Sequence, residues 1–375
     1  MSAFLPPAAF ADRLDRVRKA AAERDIDALL LSPGADLRYL TGYAAIGLER
    51  LTCLVLPTEG DPALVVPLLE RPAALASPVG ALGLEVRSWG ETDDPYALVA
   101  GLAGAGGRPR TVAVANRMWA EHVLRLRDAM PGIDQRLAGP VLRDLRAVKG
   151  PEEVEALRRA GAAVDRVMLR MGEWLRPGRT EAEVGRAVAD AMVEEGHAVC
   201  NWTVIGSGPH GASPHHDVSD RVIQAGDAVV IDIGGTMPDG YCSDSSRTFA
   251  VGHAPDEEFL AYHEVVRLAQ DAAVSAVRPG VPAERVDATA RDVIAEAGYG
   301  EFFVHRTGHG IGLEEHEEPW IVAGNGEPLV AGMAFSVEPG IYLPGRHGCR
   351  IEDIVVCTPT GVERLNDSPR ELVVL

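Results

Sequence analysis

Five side chains in the C-terminal half of the chain could together do metal chemistry. Asp232 closes an apolar run and Asp244 follows a Gly/Pro turn in VVIDIGGTMPDGYCSD, so a hairpin could bring the two carboxylates together. FSVEPGIYLPGRHGCRIED repeats the arrangement, with Glu338 and Glu352 on two strands joined by a glycine-containing loop. A carboxylate set among apolar strand residues must be neutralised, because its desolvation is costly. Arg247 and Arg350 could do this as buried salt bridges. Alternatively, the four carboxylates match the charge of two divalent cations, and His309 in HRTGHGIG offers one neutral imidazole to complete the set. Oxygen-rich ligation favours a labile, hard or borderline ion such as Mn²⁺ or Co²⁺, with Zn²⁺ open.

Other motifs compete for attention. GSGPHG, residues 206–211, matches GxGxxG and follows strand-like WTVI, but ASPHHDVSDR comes next and opens no helix, which argues against a nucleotide site. The sequence contains no HExxH, so a single zinc held on one helix is excluded. PHHD, residues 214–217, reads either as a polar turn or as a functional loop carrying His215 and His216. Around His309, the residues Glu314, Glu315, Glu317 and Glu318 read as a solvated rim. Arg350 stands two residues before Glu352, so on a strand both side chains share a face. Tyr241 and Tyr39 read as core or interface residues before site residues.

The elements that must hold these residues fall into two segments, as 375 residues suggest. Up to about Val148 the chain alternates helical and strand-like pieces. Phe10, Leu14, Val17 and Ala21 recur at helical spacing, DALLLS, TCLVLP, ALVVP and TVAVA are short apolar runs, and WAEHVLRLRDAM is a second helix. This predicts an α/β domain over 1–148. Gly150-Pro151 breaks the pattern, with Pro151 suited to the first turn of a new helix. Over 149–375 the segment EWLRPGRTEAEVGRAVADAMVEEG has a counterpart in SAVRPGVPAERVDATARDVIAEAG, each followed by strand-like sequence. The duplication predicts a pseudo-symmetric α+β domain whose strands meet in one curved sheet.

A formal charge of −19 opposes nucleic-acid binding. The composition, 46% hydrophobic and 24% charged, is that of a globular protein with a large core. The N-terminal MSAFLPPAAFADRLDR does not read as a signal peptide and no apolar run reaches membrane-spanning length, which makes the cytoplasm the expected compartment. Five scattered cysteines without a CxxC pair read as reduced and mostly buried.

In order and context, Asp232 and Asp244 in DIGGTMPDGYCSD, His309 in HRTGHGIG, Glu338 in VEPGIY and Glu352 in RIED resemble the five dinuclear metal ligands of the pita-bread metallopeptidases. That superfamily includes methionine aminopeptidase, aminopeptidase P, prolidase and creatinase. The resemblance runs from about Pro151 to the end. The preceding segment looks like the smaller α/β amino-terminal domain of the creatinase and prolidase branch, where ADLRYLTGY is similar to a short motif.

The resemblance implies a metal-dependent hydrolase closest to Xaa-Pro dipeptidase, in which a hydroxide bridging two divalent ions attacks the bond before proline. It further implies Glu338 as proton relay, His215 and His316 holding the carbonyl and developing oxyanion, and His305 and Arg350 orienting substrate; His216 matches no family position. Arg350 would join the hydrogen-bond network of the site or meet the carboxylate of a C-terminal proline. A homodimer is expected, with the partner's amino-terminal domain closing one end of the cleft. The alternatives are aminopeptidase P acting on longer Xaa-Pro peptides and a small-molecule lyase or amidinohydrolase on the same fold. The metal-free creatinase branch lacks the full ligand set, which is complete here.

Overall fold

The computed structural model of the protein describes residues 6–104, 107 and 109–375, so the first five residues of the amino-terminal reading lie outside the described residues. The chain divides into two compact units, Met1–Arg146 and Ala147–Leu375.

The first unit is built on a six-stranded mixed sheet. Its strands are β1 (Ala28–Leu31), β2 (Cys53–Pro57), β3 (Ala63–Pro67), β4 (Glu85–Trp89), β5 (Thr111–Val114) and β6 (Asp134–Leu137), in the order β4-β3-β2-β1-β5-β6. Helices α1 (Pro7–Ala22), α2 (Ala35–Thr41), α3 (Arg71–Ala76), α4 (Pro95–Ala103), α5 (Ala120–Ala129) and α6 (Gly139–Ala147) alternate with them. Phe10, Leu14, Val17 and Ala21 are the buried stripe of α1, as their spacing requires. The four apolar runs are β1, β2, β3 and β5, all buried along their length. The outermost strands, EVRSW and DQRL, are largely solvent-accessible and mostly polar, so no hydrophobic signal marks them in the sequence.

The second unit repeats one plan twice. In the first half α7 (Pro151–Leu169) and α8 (Glu181–Glu194) precede β7 (Val199–Ser207), β8 (Ala228–Thr236) and β9 (Cys242–Ala250). In the second, α9 (Glu257–Ala276) and α10 (Ala283–Glu296) precede β10 (Gly308–Gly310), β11 (Glu317–Ile321), β12 (Ala334–Val337), β13 (Gly340–Leu343), β14 (His347–Arg350), β15 (Asp353–Thr358) and β16 (Gly361–Arg364); β17 (Val373–Val374) returns to pair with β9. Both Arg-Pro-Gly turns place glycine at positive φ, +90° at Gly178 and +85° at Gly280, where a side chain would be strained. Thr180 caps α8 reciprocally with Glu183.

The expected single curved sheet is in fact divided. A four-stranded sheet β17-β9-β8-β7 and a five-stranded sheet β11-β10-β12-β15-β16 meet through a bridge between Ser246 and Glu352, and β13-β14 forms a separate hairpin. Alternation along the strands sorts the side chains. Val229, Ile231 and Ile233 of β8 pack against Val184, Val188 and Met192 of α8, while Phe335, Val337 and Val355 join Phe259, Val266 and Ala290 on the other half. Each such large apolar side chain contributes about 1.5–3 kcal/mol. With the apolar set fixed toward the helices, the intervening residues must face the other way. All five cysteines are free, and all but Cys200 are buried. No described helix is long and apolar enough to cross a membrane.

Candidate metal centre

Strand register assembles the acids. Asp232 lies opposite Ser246 and Gly234 opposite Asp244 in the β8-β9 pair, so Asp232 and Asp244 are diagonal neighbours on the face turned away from α8. In the second half, Val337 pairs with Asp353, and the next step along both strands brings Glu338 and Glu352 together. The two acids thus flank the β13-β14 hairpin. The Ser246-Glu352 bridge joins the halves, with Glu352 N donating to Ser246 O at 3.0 Å.

His309 enters from β10. Its Nδ1 lies 3.1 Å from the Gly310 carbonyl, so the network assigns the proton to Nδ1 and leaves the Nε2 lone pair for a ligand. That Nε2 is 3.6 Å from Asp244 Oδ2 and 3.3 Å from Glu338 Oε1. Candidate ligand atoms of Asp232, Asp244 and Glu352 lie within 4.8 Å of one another, as do those of His309, Glu338 and Glu352.

The electrostatics of this cluster fit missing positive charge. Burial, then the charges of Glu352, Asp232 and Glu338, push the Asp244 carboxyl well above its ordinary value. Glu352 is raised for the same reasons, burial first and then Glu338 and Asp232. Burial also acts to raise Glu338, but a cationic His309, before its Nε2 gives its lone pair to a metal, donates to it and with His305 and Arg350 outweighs burial, lowering Glu338 to about 2. Glu352 Oε1 is buried without a hydrogen-bond partner, a costly state for a carboxylate oxygen that a cation would relieve. The residues present therefore fit divalent ions.

A buried polar chain surrounds the acids. Arg350, 2% exposed, donates from Nε to Ser246 Oγ at 2.9 Å, from Nη1 to Tyr342 Oη at 2.8 Å and to the Pro214 carbonyl at 3.2 Å, and from Nη2 to Asp232 Oδ2 at 2.5 Å. Ser246 Oγ donates in turn to Glu352 Oε2 at 2.8 Å. His305 Nδ1 lies 2.7 Å from the Arg306 carbonyl and Nε2 lies 2.8 Å from Tyr342 Oη. The guanidinium is thus engaged inside the protein, and both ring nitrogens of His305 have protein partners. The other oxygen of Asp232 accepts from Trp202 Nε1 at 3.0 Å. The indole can lie there only because residue 234 is glycine: a Cβ at that position would come within 2.1 Å of the ring.

Beside the acids opens a cleft of about 790 Å³, lined among others by Trp202, His215, His305, Glu315 and His316. The His316 ring lies tilted by 39° against His309 with centroids 3.8 Å apart. Although His316 keeps solvent access, desolvation of the ring and then the neighbouring His309 lower its pKa to about 4. His215 stands exposed on the opposite loop, whereas His216 turns inward to Glu181 at 2.8 Å.

Two expectations change here, for Glu317 and Arg247, while the readings of Tyr241, Tyr39 and GSGPHG hold. Glu317 is not part of a solvated rim: alternation along β11 turns it inward, where Lys149 Nζ meets it at 2.7 Å, both side chains being buried. Arg247 neutralises no candidate ligand; it pairs with Asp353 at 2.6 Å and donates to backbone carbonyls. Tyr241 Oη donates to Glu153 at 2.7 Å, and Tyr39 lies buried under the Arg13 guanidinium, so both serve packing. GSGPHG ends in a one-turn 3₁₀ segment, Gly208–Ala212, rather than a helix. Trp202, Ser246, Tyr342 and Glu181 carried no signal of their own, because each acquires its partner through cross-strand register or loop folding.

Comparison with known proteins gives the family. The profile of Metallopeptidase family M24 matches residues 155–359, and that of the Creatinase/Prolidase N-terminal domain matches residues 13–148. The chain belongs to metallopeptidase family M24. The resemblance and the pita-bread fold class drawn from the five motifs are borne out. M24 relatives include "Probable dipeptidase PepE" of Mycobacterium tuberculosis, 53% identical over 98% of this chain and 96% of its own length. The "Xaa-Pro dipeptidase" of Lactobacillus helveticus is 34% identical over 96% of this chain and 98% of its own. The crystal structure of a recombinant prolidase from Thermococcus sibiricus superposes with a TM-score of 0.91 at 36% identity, covering 98% of this chain and 99% of that one. The protein is accordingly a metal-dependent peptidase of family M24, which takes divalent ions.

Proposed function

We propose that the protein is a dinuclear metallodipeptidase that hydrolyses the bond before proline in Xaa-Pro dipeptides. The observation that carries this reading is the convergence of Asp232, Asp244, His309, Glu338 and Glu352 into two overlapping sets that share Glu352, one of whose oxygens is left without a partner. The names of the relatives support proline specificity. Two divalent ions, with manganese the first candidate and cobalt or zinc the alternatives, would be held by these five residues. They would supply Lewis acidity, polarising the scissile carbonyl and lowering the pKa of a water from about 15.7 toward about 7.

The chain's own residues supply the rest. Glu338 is ionised at neutral pH, the state a proton acceptor needs, and would relay the proton. His215 and His316 both line the cleft and would donate to the substrate carbonyl oxygen as negative charge develops on it. Arg350 locks Asp232 in place, and His305 steadies that lock through Tyr342. This differs from a direct grip on the proline carboxylate, since the guanidinium has other partners. The proposal includes a homodimer working in the cytoplasm.

The test is one assay with three peptides. Manganese-loaded protein should release proline from Ala-Pro, while a dipeptide without proline and an Ala-Pro-Xaa tripeptide stay intact. Cleavage of the tripeptide at a comparable rate would select aminopeptidase P, and no cleavage of any peptide would overturn the reading. Elemental analysis of protein purified without chelator should give two equivalents per chain, and sedimentation should give twice the chain mass.

A further inference from the structure

The loop between β7 and β8 carries His215 to the cleft, and one buried carboxylate outside the metal cluster gathers that loop. Glu181, the first residue of α8, is fully buried. Its Oε1 accepts from Ser207 N at 2.8 Å and Ser207 Oγ at 2.6 Å; its Oε2 accepts from Ser219 Oγ at 2.6 Å and lies 2.8 Å from His216 Nε2. His210 Nδ1 lies 3.1 Å from both oxygens. These partners run from Ser207, at the end of β7, to Ser219, beyond His215. The backbone closes the same clasp, with Glu181 N donating to Arg221 O and Ala182 N to Ser219 O.

Both flanks of His215 are therefore tied down. The Pro214 carbonyl accepts from Arg350 Nη1 and the His216 ring meets Glu181. The internal duplication supplies a control: α10 begins with Ala283, and its N-terminal amides donate to Glu327 O and Asn325 O in the same clasp with no carboxylate at the matching position, Glu284 one residue on accepting from Gly324 N at 3.1 Å. The fold thus closes at this position with alanine, and the acid in α8 answers to the loop it gathers.

We propose that Glu181 is a positioning residue that acts on catalysis by fixing the loop through His210, His216 and the two serines, so that His215 is presented to substrate. The inference rests on the reading that His215 faces substrate. Glu181 touches none of Asp232, Asp244, His309, Glu338 and Glu352; with His210 and His216 it offers ligand atoms within 4.8 Å of one another, but its two oxygens already have five protein donor atoms in reach, which favours an anchor over a third cation site.

The experiment is a double-mutant cycle on the metal-loaded enzyme, with kcat and KM measured for wild type, Glu181→Gln, His215→Ala and the pair. Glu181→Gln should lower kcat about 10- to 100-fold with KM within about threefold, the size expected when a supporting contact lets a reacting group drift. In the His215→Ala background the same substitution should change kcat by less than about threefold. His216→Asn, which removes one flank only, should give a smaller loss of the same kind, and Glu181→Asp should recover part of the activity. An equal loss in both backgrounds, or loss of one equivalent of metal in Glu181→Gln, would overturn the proposal; the latter would reveal a cation site.

Should the wild type cleave no Xaa-Pro dipeptide, the functional reading fails while the anchor can still be tested. In zinc-loaded protein labelled with ¹³C at histidine Cε1, the His215 resonance, assigned by its loss in His215→Ala, should broaden or move in Glu181→Gln. An unchanged resonance would sink the anchor by itself.

Discussion

Helices α8 and α10 are each 14 residues long, each follows an Arg-Pro-Gly turn, and the glycine after each, Gly196 or Gly298, sits at positive φ. Each half also contributes one pair of acids, Asp232 with Asp244 and Glu338 with Glu352. Where the halves part company, the departures lie at the cleft. The first half has the loop of His215 with Glu181 behind it and Trp202 beneath Asp232; the second has His309, His316 and the β13-β14 hairpin bearing Tyr342 and Arg350. The comparison teaches that backbone symmetry supplies a scaffold for two matched carboxylate pairs, while reactivity comes from what each half adds separately.

Four measurements would break or sharpen that comparison. The largest effect belongs to Glu338→Gln, which should lower kcat by about 10²- to 10⁴-fold while the protein still folds; circular dichroism with turnover checks this, and near-normal turnover would remove Glu338 as proton acceptor. Next is Trp202→Phe, which removes the indole N–H together with the part of the indole that lies over Gly234. It should weaken metal binding about 10- to 100-fold in titration calorimetry, and an unchanged affinity would mean that Arg350 alone fixes Asp232.

The third concerns acid. Burial acts to raise the Glu181 pKa, but hydrogen bonds from Ser207, Ser219 and His216 outweigh it and hold the carboxyl at about 2. Its folded-state value is thus below its unfolded one, so its contribution, on the order of 3 kcal/mol, is present above about pH 4.5 and lost as pH falls toward about 2. The facing imidazoles of His210 and His216 and the Arg221-Asp227 ion pair share this environment. Melting temperature against pH should fall more steeply over that window in wild type than in Glu181→Gln; parallel curves would contradict the assignment. The smallest effect is expected from Ala283→Ser at the matching position of α10. It should cost about 1 kcal/mol or less of stability and leave kcat within about twofold, and a larger loss of turnover would show that the position matters in both halves.

How much of this was legible in the sequence depended on the range of the interaction. The five candidate ligands could be read because each sits in its own local motif, and β1, β2, β3 and β5 could be read because both their faces are buried. The polar edge strands β4 and β6 could not, since they gain order from a neighbour and bury little themselves. Glu317 was misread for a related reason: its neutralising partner, Lys149, is 168 residues away. Trp202 and Tyr342 look like ordinary strand aromatics until β8 and the β13-β14 hairpin place Asp232 and Arg350 against their polar atoms. Side chains whose role comes from a distant partner leave no trace in spacing.

Ser246 stands at the seam of the two sheets, its backbone paired with Glu352 and its hydroxyl shared between Arg350 and Glu352. The distance between the two acid pairs is therefore gauged by main-chain pairing and does not depend on rotamers alone. Lengthening β9 by one residue ahead of Ser246 would turn Asp244 to the opposite side of the sheet. A chain built this way can vary its cleft walls widely, yet it has almost no latitude in the count of residues between one acid and the next.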